Sequence, residues 1–251
     1  MKHIRYYGAS PISLGVVHGG PGGIGSCADL AEELAKRLKI GVAEFLQTKY
    51  NIADLCDELT GQIAFHSPLI LLGHSWGAWL AALTAAKNPA MVSKLILVGT
   101  PPLRPGVDVD QIRRRRFTPE MSAKYSRLLT QLPEHPELLD ELGKICDNAD
   151  TFCRAELPAN AAACFDGKMF DAIWCEASAL RAAGVIEAKF RALEVPCVAI
   201  HGDYDSHPAS EIVRFFPQNH ILPRCGHTPW HEKYARDDFF DLLYQELKQC
   251  E

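Results

Sequence analysis

The feature that most constrains this chain is an alternation of short apolar runs, each closed by Gly or Pro, with stretches of helical spacing. The runs occupy residues 12–17, 41–46, 69–72, 95–98, 195–200 and 220–222. They are apolar without a polar beat, so they read as strands buried on both faces, the habit of parallel sheets. Between them, Ala28–Leu38 carries Leu30, Leu34 and Leu38 at i, i+4 and i+8, and Ile52–Ile63 carries Leu55, Leu59 and Ile63 in the same way. Such alternation predicts βαβ units and an α/β fold with a mostly parallel, doubly wound sheet. The pattern breaks between about Thr100 and Leu193. There Pro101, Pro102, Pro105, Pro119, Pro133, Pro136 and Pro158 punctuate short helical stretches, and no strand-like run is visible. This segment reads as a helical insertion over the sheet: a core of residues 1–100 and 193–251, and a helical cap (lid) of 101–192.

At 251 residues and 47% hydrophobic, the chain has material for one sizeable buried core, which excludes a disordered or fibrous protein. A net charge of -5 argues against a nucleic-acid partner, which would call for a basic excess. The one basic run, Arg113 to Arg116, reads as a solvated helix face, with a carboxylate-recognising patch as the alternative. Nine cysteines is an odd number, residues 1–7 lack the apolar stretch of a secretory signal, and no apolar run reaches the ~18 residues of a membrane span. The expectation is a cytoplasmic protein with reduced thiols and no membrane partner. Cys146, Cys153, Cys164 and Cys175 show no Cys-x-x-Cys spacing, so they read as small buried hydrophobes and not as a metal site.

The strongest chemical signal is Gly73-His74-Ser75-Trp76-Gly77, set between the run 69–72 and a helical stretch over 78–87. A strand, a tight turn and a helix with Gly-x-Ser-x-Gly at the turn would hold Ser75 so that its Oγ projects above the sheet. A serine hydroxyl needs a base to act as a nucleophile. His18-Gly19-Gly20-Pro21-Gly22 follows the strand 12–17, and its exposed N–H groups suit an oxyanion. The two donors are expected from Gly20 and Trp76, with Gly19 as the nearest substitute. Gly202-Asp203-Tyr204-Asp205 and Gly226-His227 each follow a later strand, giving the order Ser, Asp, His at strand ends. Asp203 and Asp205 are both available as the acid. Of the other histidines, His207 is an alternative base, His74 and His201 read as turn residues, and His231 as the start of the last helix. Trp76, Trp79, Phe165, Phe170, Trp174 and Trp230 are aromatics that could pack the core or line an apolar acyl pocket, Trp174 and Trp230 being taken for the pocket.

Together these motifs resemble the α/β-hydrolase superfamily over nearly the whole chain. The resemblance implies an α/β-hydrolase fold, Ser75 as nucleophile, His227 as general base and then acid, and Asp205, at the end of the Gly-x-x-Asp turn, as the acid that orients it. It implies no metal and no organic cofactor. His-Gly-Gly-Pro-Gly and the Trp after the nucleophile are similar to the proline iminopeptidases, whose usual Asp-x-Arg-Gly-x-Gly segment is here replaced by residues 43–49. A peptidase of that kind would use acidic cap residues for the substrate amine, for which Glu156 and Glu176 are candidates. The expected activity is hydrolysis of a small ester, amide or related acyl compound by a monomer or homodimer. A proline iminopeptidase-like aminopeptidase, a C–C bond hydrolase, a cofactor-free lyase and a non-catalytic ligand receptor on the same scaffold are the alternatives.

Overall fold

The computed structural model describes residues 3–248. The chain runs through β1 (Ile4–Tyr7), β2 (Ile12–Val17), β3 (Gly23–Ile24), α1 (Ala28–Leu38), β4 (Gly41–Phe45), α2 (Ile52–Ile63), β5 (Leu69–His74), α3 (Trp76–Lys87) and β6 (Val92–Val98). Helices α4 (Val109–Arg114), α5 (Pro119–Gln131) and α6 (Leu139–Ala149) follow, then β7 (Cys164–Phe165), α7 (Gly167–Ala182) and α8 (Val185–Arg191). The last elements are β8 (Cys197–Gly202), α9 (Ala209–Phe215), β9 (Asn219–Leu222) and α10 (Arg236–Lys248). Seven strands form one sheet in the order β1-β4-β2-β5-β6-β8-β9. Only β1 is antiparallel to its neighbour; every other pair is parallel.

All five residues of β4 and all six of β5 are buried, as expected for strands covered on both faces. One face packs α1 and α10 through Leu30, Leu34, Phe239 and Leu243. The other packs α2 and α3 through Leu55, Leu59, Trp76 and Trp79. Helix α1 ends where Lys39 turns left-handed, and α2 begins where Asn51 accepts the Asp54 N–H at 2.8 Å. Because β5 lies at the centre of the sheet, whatever stands at its C-terminal end has structure on every side.

Three sequence expectations are corrected here. Residues 101–192 do contain a strand, since Cys164–Phe165 pairs with Gly23–Ile24; a two-residue ladder is too short to leave a pattern. His74 and His201 are the buried ends of β5 and β8, not turn residues. Within the same segment, Tyr125, Leu128, Leu142 and Ile145 of α5 and α6 make a small cluster of their own. Met169, Ile173 and Ala177 of α7 and Ile186 and Phe190 of α8 instead join the main core beside α3. The eight cysteines among the described residues are free thiols; Cys164 and Cys175 are exposed, not buried hydrophobes. No described helix is long and apolar enough to cross a membrane.

Candidate active site

Ser75 caps β5 with φ 54 and ψ -123, the left-handed backbone that L residues rarely adopt. Neighbouring backbone enforces it. A side chain on Gly77 would meet the Val17 carbonyl oxygen at 2.2 Å, and the Ser75 N–H donates to the Val98 carbonyl at 2.8 Å. The strand therefore stops abruptly, and α3 starts with Trp76, whose N–H is the first of the donors that a helix start leaves without an internal partner. The Gly-rich turn lies against this point: a side chain on Gly19 would meet Ser75 Cβ at 3.1 Å. Gly20, with φ 117, follows in a turn so tight that its own Cβ would strike the Gly23 nitrogen at 2.5 Å.

The acid and the histidine come from the ends of β8 and β9. His227 Nδ1 lies 2.7 Å from Asp205 Oδ2. A carboxylate only accepts, so Nδ1 carries the proton and Nε2 keeps its lone pair, the tautomer a base needs. Burial would raise the Asp205 carboxyl, but the imidazoles of His227, His207 and His201 around it hold it well below the usual carboxylate range. Burial pushes His227 down, yet the Asp205 charge outweighs it and leaves the imidazole above its ordinary value. The His227 ring lies against the end of β6, the neighbour of β5: a side chain on Gly99, next to the Val98 that accepts the Ser75 N–H, would meet His227 Nδ1 at 3.0 Å. Asp205 and His227 follow the C-terminal ends of β8 and β9, on the sheet edge where Ser75 follows β5, and the His74 and His227 rings lie 4.8 Å apart. Asp203 is exposed and instead accepts the Cys225 N–H at 3.2 Å.

Further polar groups, not visible as motifs, hold this pair. His74 Nε2 donates to the His227 carbonyl at 3.0 Å; burial drops its own pKa to about 3, so it stays neutral. The Asp150 carbonyl accepts the His227 N–H at 2.8 Å. The Asp150 side chain accepts from Ser206 Oγ on one oxygen and from Arg113 Nε at 2.7 Å on the other. Glu232, buried, accepts the Gly226, Phe152 and Cys153 N–H groups, each at 2.8 Å. Asp150 and Glu232 have no local signature, because most of their partners lie far away in the chain.

The basic run is corrected accordingly. Arg113 turns inward to Asp150, and Arg116 donates to Ser206 Oγ at 3.1 Å with its guanidinium 3.9 Å above the Tyr204 ring. Arg114 pairs with Asp110 of its own helix but also donates to Ser126 Oγ of α5 at 3.2 Å, while Arg115 bonds Gln111 of its own turn. His231 closes a short 3-10 turn and sits 2.5 Å from Asp29, while the last helix starts at Arg236. Glu176 accepts the Ile52 N–H at the start of α2, and Glu156 is exposed.

The aromatics divide. The Trp76 ring is wholly buried and donates to Gln47 Oε1 at 2.9 Å, so only its backbone faces Ser75. Trp230 is 2% exposed and packs against His74 and Phe239, behind the His227 loop. Phe170, Trp174 and Trp79 stack in a row, with Phe170 N beside Gly22 and Trp174 partly exposed. Asp205, His207 and His227 each offer one possible metal-ligand atom within 4.8 Å of the others, the one such group among the described residues. Two of those residues are already hydrogen-bonded to each other, and His207 Nδ1 stands 3.2 Å from Asp205 Oδ1 without hydrogen-bond alignment.

The α/β-hydrolase family model matches residues 16–242, and the chain belongs to that family. Its fold is similar to the proline iminopeptidase of Mycobacterium smegmatis, at 17% identity and TM-score 0.66, covering 98% of this chain and 94% of that one. It is similar too to a meta-cleavage product hydrolase from Pseudomonas fluorescens IP01, at 19% identity and TM-score 0.65 over 99% and 94%. A third likeness is E-2-(acetamidomethylene)succinate hydrolase, at 18% identity and TM-score 0.63 over 98% and 94%. No curated protein sequence matches the chain.

Proposed function

We propose that this α/β hydrolase is a serine hydrolase that cleaves a small ester, amide or related acyl substrate through an acyl-enzyme. The observation that carries the reading is Ser75 in a left-handed turn at the end of the central strand, with the preceding His74 ring 4.8 Å from that of His227, whose Nδ1 is bonded to Asp205 and whose free ring nitrogen is Nε2. Ser75 Oγ attacks the substrate carbonyl as His227 Nε2 takes its proton, and Asp205 stabilises the imidazolium that forms. The Gly20 and Trp76 N–H groups hold the oxyanion, an effect worth about 3 kcal/mol per donor where it has been removed elsewhere. The proton then passes from His227 to the leaving group. A water, deprotonated by the same nitrogen, attacks the acyl carbon and restores Ser75. Gly19 and Trp174 line the acyl side, and Trp230 backs the site through His74. The helices of residues 101–192 cap it. Free thiols at the described cysteines support a cytoplasmic location.

The test is a fluorophosphonate probe with the adduct located by mass spectrometry. Labelling at Ser75 that disappears in His227→Ala is the expected result. A folded protein that takes no label would overturn the reading and favour a ligand receptor on this scaffold.

A further inference from the structure

Gln47 follows β4 within residues 43–49, a segment with no part in the chemistry above, and the residue is 3% exposed. Its neighbours there have structural work: Glu44 accepts from Tyr7 Oη at 3.2 Å, and Glu58 accepts the Thr48 N–H at 2.9 Å.

Its partners fix the orientation of its amide. Trp76 Nε1 can only donate, so the atom 2.9 Å away is Oε1. The His18 carbonyl can only accept, so the atom 2.9 Å away is Nε2. The Gln47 main-chain N–H donates to His18 Nε2 at 3.2 Å, which places the ring proton on Nδ1. That proton goes to the Gly19 carbonyl at 2.9 Å. Burial lowers His18 to about 4, so this tautomer persists at neutral pH. The 3.3 Å approach of Gln47 Nε2 to His18 Nδ1 is then a contact of two donors and no bond.

One buried side chain therefore ties the residue after the nucleophile to the first residue of the Gly-rich turn. We propose that Gln47 is a positioning residue that sets the spacing between the Gly20 and Trp76 N–H groups, so that both reach the same substrate oxyanion. The inference rests on the serine hydrolase reading above. Donors stabilise an oxyanion strongly only when fixed about 2.7–3.1 Å from where it forms. Gly19, Gly20 and Gly22 have no side chains with which to anchor their own turn. The contact of Gly77 with the Val17 and His18 carbonyls sets how closely turn and helix approach. Gln47 supplies the polar tie across that junction.

The test compares wild type, Gln47→Met and Gln47→Glu on a p-nitrophenyl ester, well below each melting temperature, after wild type has been shown to label at Ser75 with the fluorophosphonate. Methionine matches the length and offers neither hydrogen bond, so kcat is expected to fall about 10–100-fold with KM within about twofold. A neutral glutamic carboxyl can accept from Trp76 and donate to His18, whereas the ionised form can only accept and repels the His18 carbonyl. The Gln47→Glu to wild-type ratio of kcat should therefore climb as pH falls, while the Gln47→Met ratio stays flat. Unchanged kcat in the methionine variant, a loss confined to KM, or a glutamate ratio independent of pH would overturn the inference alone. Wild type that takes no label would overturn the serine hydrolase reading and this inference with it. If Gln47→Met fails to fold, the pH course of Gln47→Glu decides.

Discussion

Ser75 and the Gly-rich turn are held by backbone pressed against backbone: Gly77 has no room for a Cβ beside Val17, and the Ser75 N–H is committed to Val98. The His227 loop is held differently, by the Asp150 carbonyl and the Glu232 carboxylate. On the first side, close backbone packing of the start of α3 against the ends of β2 and β6 fixes the geometry. On the second, the His227 loop takes its shape from Asp150 and Glu232, and Asp150 keeps its own place through Arg113. The nucleophile side should thus tolerate loss of a functional group without loss of structure, while the base side should lose both together.

The largest effect tests that contrast directly. Ser75→Ala should lower kcat by on the order of 10⁶-fold while the melting temperature stays within a few degrees of wild type. Ester turnover and a thermal melt measure both, and a large drop in melting temperature would break the comparison. Asp205→Asn should cost about 10⁴-fold in kcat, because the amide no longer selects the tautomer. It should also move the acid limb of kcat/KM. The base must be neutral, so activity rises with pH through the His227 pKa. The Asp205 charge holds that pKa above the ordinary 6.5, and the variant's limb should lie at lower pH. A limb that does not move would assign it to another group.

The next changes sharpen the base side. Asp150→Asn keeps the carbonyl that receives the His227 N–H but leaves the Arg113 charge without its counterpart. A loss of about 3 kcal/mol in urea unfolding is expected, with a smaller fall in kcat than Asp205→Asn. Glu232→Gln replaces one acceptor oxygen by a donor facing main-chain N–H groups. It should cost about 1–3 kcal/mol, read in the same way. If either variant melts like wild type, the base side is as self-sufficient as the nucleophile side and the contrast fails.

The legibility of the sequence follows the same division. Helices Ala28–Leu38 and Ile52–Ile63 have the ends that their apolar spacing gives, because each buries one face against a sheet already marked by its own runs. Ser75 was legible because the glycines that its turn requires are its neighbours in the chain. β1 was not, since Ile4–Tyr7 is a four-residue edge strand with only partial burial. Arg113 and Arg116 looked like solvent-facing charge, because their partners Asp150 and Ser206 lie 37 and 90 positions away. Gln47 was illegible for a similar reason: a lone glutamine gives no sign that its partners will be an indole and a carbonyl from two other turns.

The Asp150 contacts bear on how this scaffold can be recombined. Helical segments over a hydrolase core invite exchange between relatives as interchangeable modules. Here the residue that ends α6 also closes the main-chain bonding of His227, and Glu232 on the core side receives residues 152 and 153 in return. A chimera cut at the sheet edge would import a foreign end to that helix and distort the histidine, however well its own helices folded. A graft that works must carry the two carboxylates as a matched pair, so the seam for engineering lies inside the segment, before Asp150.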